Sequence, residues 1–509
     1  MIDHDTSAEV FCALNPPCYD FEFMTQPTFD LRAAAHQEMI AEGFQPDFPP
    51  AVDQQVKALE AQKAPATADG MRDLRSLLWS SIDNDTSRDL DQAEVAERVS
   101  GGIRVMVAIA DVDRDVPIDS PIDKHAAYET TSVYTGVQTF PMLPEELSTD
   151  LTSLNENVDR VAVVVELVVG GDGSISSPSI YRALVRNQAQ LTYNGVGPWL
   201  EGTAAPPPKV AASSDLAAQL KLQDEAARIL HDERFRMGAL NLDRVEAEPV
   251  LSDGGEVQGI NVRKKNRASD LIENFMVAAN GVMARTLQDA KVSSIRRVVK
   301  TPERWPRIVE LAAQHGGKLP AEPDSGALNE FLQQRKAADP DHYADVSLAV
   351  VKLMGPGEYV LSRSGEEAPG HFALAAHDYT HSTAPNRRFA DTVTQRLIKS
   401  VLGKLACPYS DSQLDAIAKN CTLKEDAARK VERAMGKRIA AVALRNRIGE
   451  TFSAIVTGAG PKGVFVRVLA PPVEGMLVQG QKGADVGDRL QVKLVGADPR
   501  RGFIDFARV

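Results

Sequence analysis

Four aspartates, Asp83, Asp85, Asp89 and Asp91, fall within nine positions directly after the apolar run Leu77 to Trp79. Like charges at this density repel one another unless water solvates them or a cation neutralises them. The segment therefore either stays an exposed acidic loop or folds around a divalent-metal site. Taken alone, SIDNDTSRDLDQ from Ser81 to Gln92 leaves both readings open.

The 509 residues are 43% hydrophobic and 25% charged, a globular composition with core enough for about two to four domains. No apolar run approaches the roughly 18 to 20 residues that span a bilayer. The N-terminus has neither a basic n-region nor an apolar h-region, so neither membrane insertion nor secretion is expected. Cys12, Cys18, Cys407 and Cys421 form no CxxC pair and are too scattered for a disulfide framework, which fits a cytoplasmic protein. A net charge of −13 excludes a protein that coats nucleic acid indiscriminately. Basic residues nevertheless cluster at Arg263 to Arg267, at Arg296, Arg297 and Lys300, at Arg387 and Arg388, and along Lys424 to Arg447. Each cluster reads either as a solvated helix face or as part of one cationic channel.

Residues 1–66 read as a short preface with two helices, FDLRAAAHQEMIAEGF and AVDQQVKALEAQ, separated by DFPP. GGIRVMVAIADV and DRVAVVVELVVGGDG are β-branched runs ended by Gly or Asp, and read as buried strands. Pro208 to Arg236 turns helical, a strand pair follows around Glu248 to Val262 with its turn at SDGGE, and DLIENFMVAANGVMARTLQDA is a core helix, apolar almost all round. Helical patterns dominate from there to about Arg447, interrupted by the irregular segment Gly355 to Arg387. The last sixty or so residues hold five short strand-like runs separated by Gly, Pro and Asp, which predicts a small closed barrel of the OB type. The fold class is thus α+β, with expected domains at 1–66, 67–447 and 448–509.

Two short motifs carry less than their spelling suggests. GAGPKG, Gly458 to Gly463, is followed by the alternating strand GVFVRV rather than by a helix, so it reads as a hairpin turn and binds no dinucleotide. His377 and His381 in HDYTH are spaced to share a helix face, but Asp378 stands where a zinc protease needs Glu, and no third ligand is evident. They read as structural histidines beside a functional loop.

Longer segments decide the matter. IDNDTSRDLDQ, VAIADV, TSVYTGVQTFPMLPEELSTDLTSLNENVDRVAVVVEL, QAQLTYNGV, LIENFMVAAN and HFALAAHDYTHSTAPNRRFADTVTQRL occur in this order. Together they resemble the RNB catalytic domain of the RNase II family of exoribonucleases, from about residue 70 to 447. The C-terminal runs GVFVRV, VEGML and GFIDFA are similar to the S1 RNA-binding domain of such enzymes.

The resemblance implies a mixed sheet surrounded by helices, and a processive, hydrolytic 3'→5' exoribonuclease that releases nucleoside 5'-monophosphates from single-stranded RNA. It implies Mg2+, with Mn2+ the second candidate, held by Asp83, Asp89 and Asp91. Gln92 stands where the family motif has a further Asp, so the site loses one formal charge there. An amide oxygen still ligates magnesium, only more weakly, and Asp85 is a candidate for partial compensation. Arg387 matches the arginine beside the scissile phosphate, where a planar fork binds two oxygens at once, and Arg388 is its backbone-binding neighbour. Tyr134 and Tyr193 match tyrosines at the 3'-terminal nucleotide, although residue type alone reads both as core. Glu273 matches the glutamate that reaches the terminal ribose.

No aromatic stands near Gly238 to Asp243, where RNase II closes its base stack. The preface is also too short for two cold-shock barrels, which shifts RNA anchoring to the C-terminal barrel and the basic helices. The expected partner is single-stranded RNA, met by a monomer with no membrane and no dinucleotide. The alternative is a non-catalytic RNA-binding or regulatory protein whose site has weakened at Gln92, and a third reading is an endonuclease or DNA-directed nuclease, against which Glu273 weighs.

Overall fold

The structure, a computed structural model, describes residues 29–62, 71–242, 246–252, 254–340, 343–366, 370–461 and 463–509. Cys12, Cys18, the whole of KAPATADG and parts of the SDGGE and GAGPKG turns lie outside these residues.

The two expected N-terminal helices are present as α1 (Leu31–Ala41) and α2 (Pro50–Ala61). Asp30 starts α1 by accepting the backbone N–H groups of Arg32 and Ala33, while Pro50 gives α2 a preset first turn. A mixed sheet follows, built from β1 (Arg72–Asp73), β2 (Trp79–Asp83), β3 (Gln92–Val99) and β4 (Gly102–Ala110). After α3 (Pro121–Glu129) come the short hairpin β5 (Val133–Tyr134) and β6 (Thr139–Phe140), then β7 (Asp159–Val169) and β8 (Ile175–Thr192).

The long strand β8 makes this sheet more than a meander. Its first part pairs antiparallel with β7 and its last part pairs parallel with β2, so the pairing runs in a circuit β2-β3-β4-β7-β8. Asn187 sits where β8 changes partners. Its buried amide donates to Ser81 Oγ at 2.9 Å and to the Leu154 carbonyl at 3.0 Å, while Oδ1 accepts the Ala189 N–H at 3.1 Å.

Helices α4 (Tyr193–Leu200), α5 (Pro208–Ala211) and α6 (Ser214–Arg236), the hairpin β9 (Glu246–Leu251) and β10 (Val257–Arg263), and α7 (Arg267–Asp289) come next. As its sequence predicts, α7 is a core helix: Leu271, Phe275, Val282 and Met283 lie in the main apolar core with the sheet. The following stretch departs from the all-helical expectation. β11 (Ser294–Val298) precedes α8 (Trp305–Gln314), α9 (Ser325–Ala338) and α10 (Tyr343–Met354), and pairs antiparallel with β12 (Glu358–Ser362). Arg296 and Arg297 are therefore strand residues, 2% and 9% exposed, rather than part of a solvated helix face. Arg297 spends its fork on Glu425, at 2.6 and 2.8 Å. The strand partner lies some sixty residues away, beyond any local sequence window.

α11 (Phe389–Leu402) and α12 (Asp411–Leu444) complete the helices. β13 (Thr451–Gly460), β14 (Gly463–Val468), β15 (Glu474–Gln479), β16 (Arg489–Asp498) and β17 (Phe503–Arg508) form the expected closed barrel, ordered β13-β14-β15-β17-β16. GAGPKG falls at the β13–β14 hairpin, as its sequence indicates. Ala440, Ala441 and Leu444 of α12 join the barrel core.

Since Asn187 satisfies three backbone or side-chain groups at the strand switch, Asn187→Ala should cost about 2–4 kcal/mol in urea unfolding. An unchanged midpoint would show that the switch holds without it.

Candidate active site

The acidic segment is a loop between β2 and β3 that is fastened from outside its own sequence. Leu90 N–H donates to Ser153 Oγ at 2.9 Å, Ser153 Oγ donates to the Arg88 carbonyl at 2.9 Å, and Leu154 N–H donates to the Leu90 carbonyl at 2.9 Å. Ser153 and Leu154, a few residues beyond PMLPEELS, thus act as scaffolding for the aspartates. The Leu90 side chain, 1% exposed, is the apolar anchor.

Asp83, at the end of β2, accepts Asn84 N–H at 2.7 Å and Ser87 Oγ–H at 3.0 Å. Asp91 is buried at 2% exposure. Its Oδ1 accepts the backbone N–H of Asn386 at 3.0 Å, and its Oδ2 lies 3.4 Å from Arg387 Nε. Burial pushes the Asp91 carboxyl up to about 7, with the Asp89 charge adding to the rise and Arg387 opposing it. Burial also raises Asp89, again against Arg387 and with help from Asp83. The Asp85 carboxylate accepts a hydrogen bond from the Asn194 amide of α4.

Arg387 comes from the turn that enters α11. Ser132 N–H donates to the Arg387 carbonyl at 3.0 Å and Phe389 N–H to the Thr130 carbonyl at 2.9 Å, which brings the β5–β6 hairpin alongside. Tyr134 on that hairpin is 44% exposed, so it is not a core residue. Loss of water around its hydroxyl raises the phenol, Arg387 opposes the rise, and Asp89, Asp91 and Asp83 reinforce it. Gly136, at φ +83°, makes the hairpin turn, and a Cβ there would sit 3.0 Å from Ile439. Val133, Val137 and Phe140 share a core with Leu31 and Met39 of α1 and Val431 of α12, so the N-terminal helix buttresses Tyr134.

The remaining predicted residues are placed less directly. Tyr193 starts α4 just after Thr192, the register partner of Asp83, and so borders the acidic loop. Arg388 points its fork at Asp391, at 2.7 and 2.9 Å, and Asp391 Oδ1 also accepts Ala384 N–H at 2.8 Å. Glu273 is bound by Lys265 and lies 3.5 Å from Arg234, and these cations hold its carboxyl below the usual range against burial. His377 and His381 do not share a helix: the segment is irregular, and His381 Nδ1 lies 2.8 Å from Tyr359 Oη, with burial keeping the ring neutral.

Gln92 opens β3 with its side chain buried, and Nε2 donates to the Ile82 carbonyl at 3.4 Å. Among the described residues no three His, Cys, Asp or Glu side chains close on one point. The cluster is an open, oxygen-only donor set. That suits magnesium, which is commonly held by one or two carboxylates together with water and substrate phosphate. Sequence reasoning missed Asn386, Asp391 and Glu94. The first two adjoin Arg387 in APNRRFAD; Glu94 follows Gln92 by two positions.

Comparison with known proteins agrees with this architecture. The RNB domain model matches residues 71–404 and that of the RNase II-type exonuclease C-terminal S1 domain matches 450–509. The chain belongs to the RNB family. It is 28% identical over 502 residues to Ribonuclease R 1 of Lactococcus lactis, covering 90% of this chain and 59% of that relative, so it spans about six tenths of the relative's length. Mycoplasma genitalium RNase R, solved with ribose methylated single-stranded RNA, superposes with a TM-score of 0.84 at 24% identity, over 94% of this chain and 78% of that one. Yeast Ssd1, described as a pseudonuclease, gives 0.69 at 17% identity, over 91% of this chain and 57% of that one. The fold therefore hosts both a nuclease and a pseudonuclease.

Because the folded Asp91 carboxyl binds its proton more tightly than an unfolded aspartate, the stability this proton gives is complete below about pH 4 and lost as pH rises to about 7. In EDTA, wild type should lose on the order of 3 kcal/mol relative to Asp91→Asn between pH 4.5 and 8. A pH-independent difference in melting would contradict the assigned burial.

Proposed function

We propose that the chain is a hydrolytic, Mg2+-dependent 3'→5' exoribonuclease that processively degrades single-stranded RNA to nucleoside 5'-monophosphates, with Mn2+ as an alternative metal. The observation that carries this reading is the junction at Asp91, where the acidic loop, Arg387 and the Tyr134 hairpin meet.

On this reading Asp83, Asp89, Asp91 and Gln92 are the oxygen donors that hold the metal. When bound, the metal supplies a nucleophilic water at neutral pH and stabilises charge on the phosphoryl oxygens. Arg387 is half exposed and only partly engaged by Asp91, which leaves guanidinium N–H groups for the phosphate beside the scissile bond. Tyr134 offers a ring face on which any base stacks, worth roughly 1–3 kcal/mol, and Tyr193 borders the same end. Glu273 keeps lone pairs beyond its two cations for a ribose 2'-hydroxyl, a contact that favours RNA over DNA. Arg388, already clamped by Asp391, sets the turn that presents Arg387 and adds positive potential toward the RNA backbone.

The second reading is an RNA-binding protein without hydrolysis whose site has weakened at Gln92, and the relatives named Ribonuclease R weigh against it. One experiment separates them. Single-stranded RNA labelled at either end is incubated with Mg2+ and the wild-type or Asp91→Asn chain. Mononucleotide release from the 3' end, reduced at least a hundredfold in the variant, is the expected result. A shifted RNA that stays intact with wild type would sink the catalytic reading.

The barrel supplies a second, independent expectation. Phe465 on β14 is 37% exposed and Phe503 on β17 is 49% exposed, with the Arg501 guanidinium 4.2 Å from the Phe503 ring centroid. Exposed aromatics beside arginine suit single-stranded RNA. Phe465→Ala should weaken binding of a long single strand by roughly tenfold while leaving cleavage of a short oligonucleotide unchanged; equal affinity would place anchoring elsewhere.

A further inference from the structure

A cavity of about 180 Å3 opens between the end of α6, the middle of α7 and the irregular segment before α11, and none of its lining residues belongs to the acidic loop or to the Arg387 turn. Its apolar lining is Val277, Ala278 and Gly281 of α7 together with Leu374 to Ala376. Alanine and glycine at these positions leave a slot that larger side chains would fill.

The charges around the slot are not balanced from within the chain. Glu233 on its rim is already chelated by Arg236 through two bonds of 2.6 Å. Arg234 gives Nη1 to Asn274 Oδ1 at 2.6 Å and lies 3.5 Å from Glu273, but its buried Nε has no acceptor among the described residues. Arg285 lines the slot and forms no hydrogen bond or ion pair among the described residues. Its guanidinium lies against α7, since a Cβ at Gly281 would sit 3.2 Å from Nη1. Asp378, the remaining carboxylate of the lining, has Arg296 as its ion-pair partner at a loose 4.0 Å. Arg296 is 2% exposed, gives Nη2 to Gln288 Oε1 at 3.1 Å, and leaves Nε and Nη1 without acceptors among the described residues. Burial works against its charge, Asp378 supports that charge and Arg285 opposes it. Guanidinium N–H groups in this condition are costly unless an anion from outside answers them.

Size and chemistry narrow the ligand. Sites that enclose a drug-sized molecule measure roughly 300–1,000 Å3, so this slot takes one ring system rather than several nucleotides. Apolar walls suit a flat ring, and a free guanidinium meets phosphate oxygens in pairs. Asp378 offers acceptor positions for a hydroxyl. A single nucleotide combines these three features.

We propose that the cavity is a nucleoside 5'-monophosphate site, with the base in the slot between α7 and Leu374 to Ala376, the phosphate on Arg285 and a ribose hydroxyl on Asp378. The proposal deepens the functional reading above, because such a nucleotide is the product that reading names. Its test uses neither RNA nor metal, so the two fail separately.

Binding of AMP to the full chain in EDTA is measured by isothermal titration calorimetry, beside adenosine and inorganic phosphate. One AMP per chain is expected, with adenosine and inorganic phosphate each about tenfold weaker or more. Arg285→Gln, at an exposed position, should weaken AMP binding about tenfold, and Gly281→Leu, which fills the slot, should abolish it. Arg387→Gln should keep AMP affinity within about twofold of wild type. AMP binding that is lost in Arg387→Gln and unchanged in Arg285→Gln would place the nucleotide at the catalytic centre and overturn the proposal. Adenosine or inorganic phosphate binding as tightly as AMP would overturn it too. RNA hydrolysis by a chain that binds no AMP would remove this inference alone, whereas AMP binding of the expected pattern without hydrolysis would uphold it and remove the catalytic reading.

Discussion

The contact on which the rest of the site depends joins Asp91 to the Asn386–Arg387 turn, 295 residues away in sequence. A carboxylate 2% exposed needs donors, because burial without them costs several kcal/mol. Here one donor is a backbone N–H, which side-chain motion cannot withdraw, and beside it lies a guanidinium. The same bond fixes the acidic loop relative to α11. Meeting the needs of one buried carboxyl therefore brings the acidic loop and the Arg387 guanidinium together.

The turn is itself held from behind. Lys399 of α11 bridges Asp111 and Asp113 at 2.6 and 2.9 Å, and Arg396 reaches Asp113 and Asp123 at 2.7 and 2.8 Å. Buried pairs of this kind add little net stability, but breaking one is expensive, so they define register. Asp111 and Asp113 directly follow β4, and β4 is the hydrogen-bonded neighbour of β3. Both sides of the site are thus referenced to the same strands. Tyr134 enters from a third direction, on a hairpin whose apolar side rests on α1 and α12.

Much of this was legible in the sequence because its signals are local. The β-branched runs of β4 and β7, the apolar helix α7 and the Gly-punctuated barrel strands show their periodicity within ten or twenty residues. Asp83, Asp89, Asp91, Arg387 and Tyr134 stand out through the order of family-like segments, not through their own spacing, and the structure places Asp91 beside Arg387. What escaped depends on distant pairing. Arg296 and Arg297 read either as a solvated helix face or as part of a cationic channel, because β12, which turns them into buried strand residues, lies beyond α8, α9 and α10. His377 and His381 have helical spacing in a segment that does not coil. Arg388 reads from the resemblance as the neighbour that meets the RNA backbone, and its ion pair with Asp391, three residues on inside α11, takes the fold to see.

The central claim is that one centre forms where these parts meet, and it is tested most directly by the position of metal and RNA together. A crystal of the Asp91→Asn chain soaked with Mn2+ and a short single-stranded RNA allows the metal to be located by anomalous scattering. The account predicts Mn2+ beside Asp83, with the 3'-terminal nucleotide against Tyr134 and its phosphate within reach of Arg387. Metal bound away from the acidic loop, or an RNA 3' end that does not reach the Asp91–Arg387 junction, would contradict it.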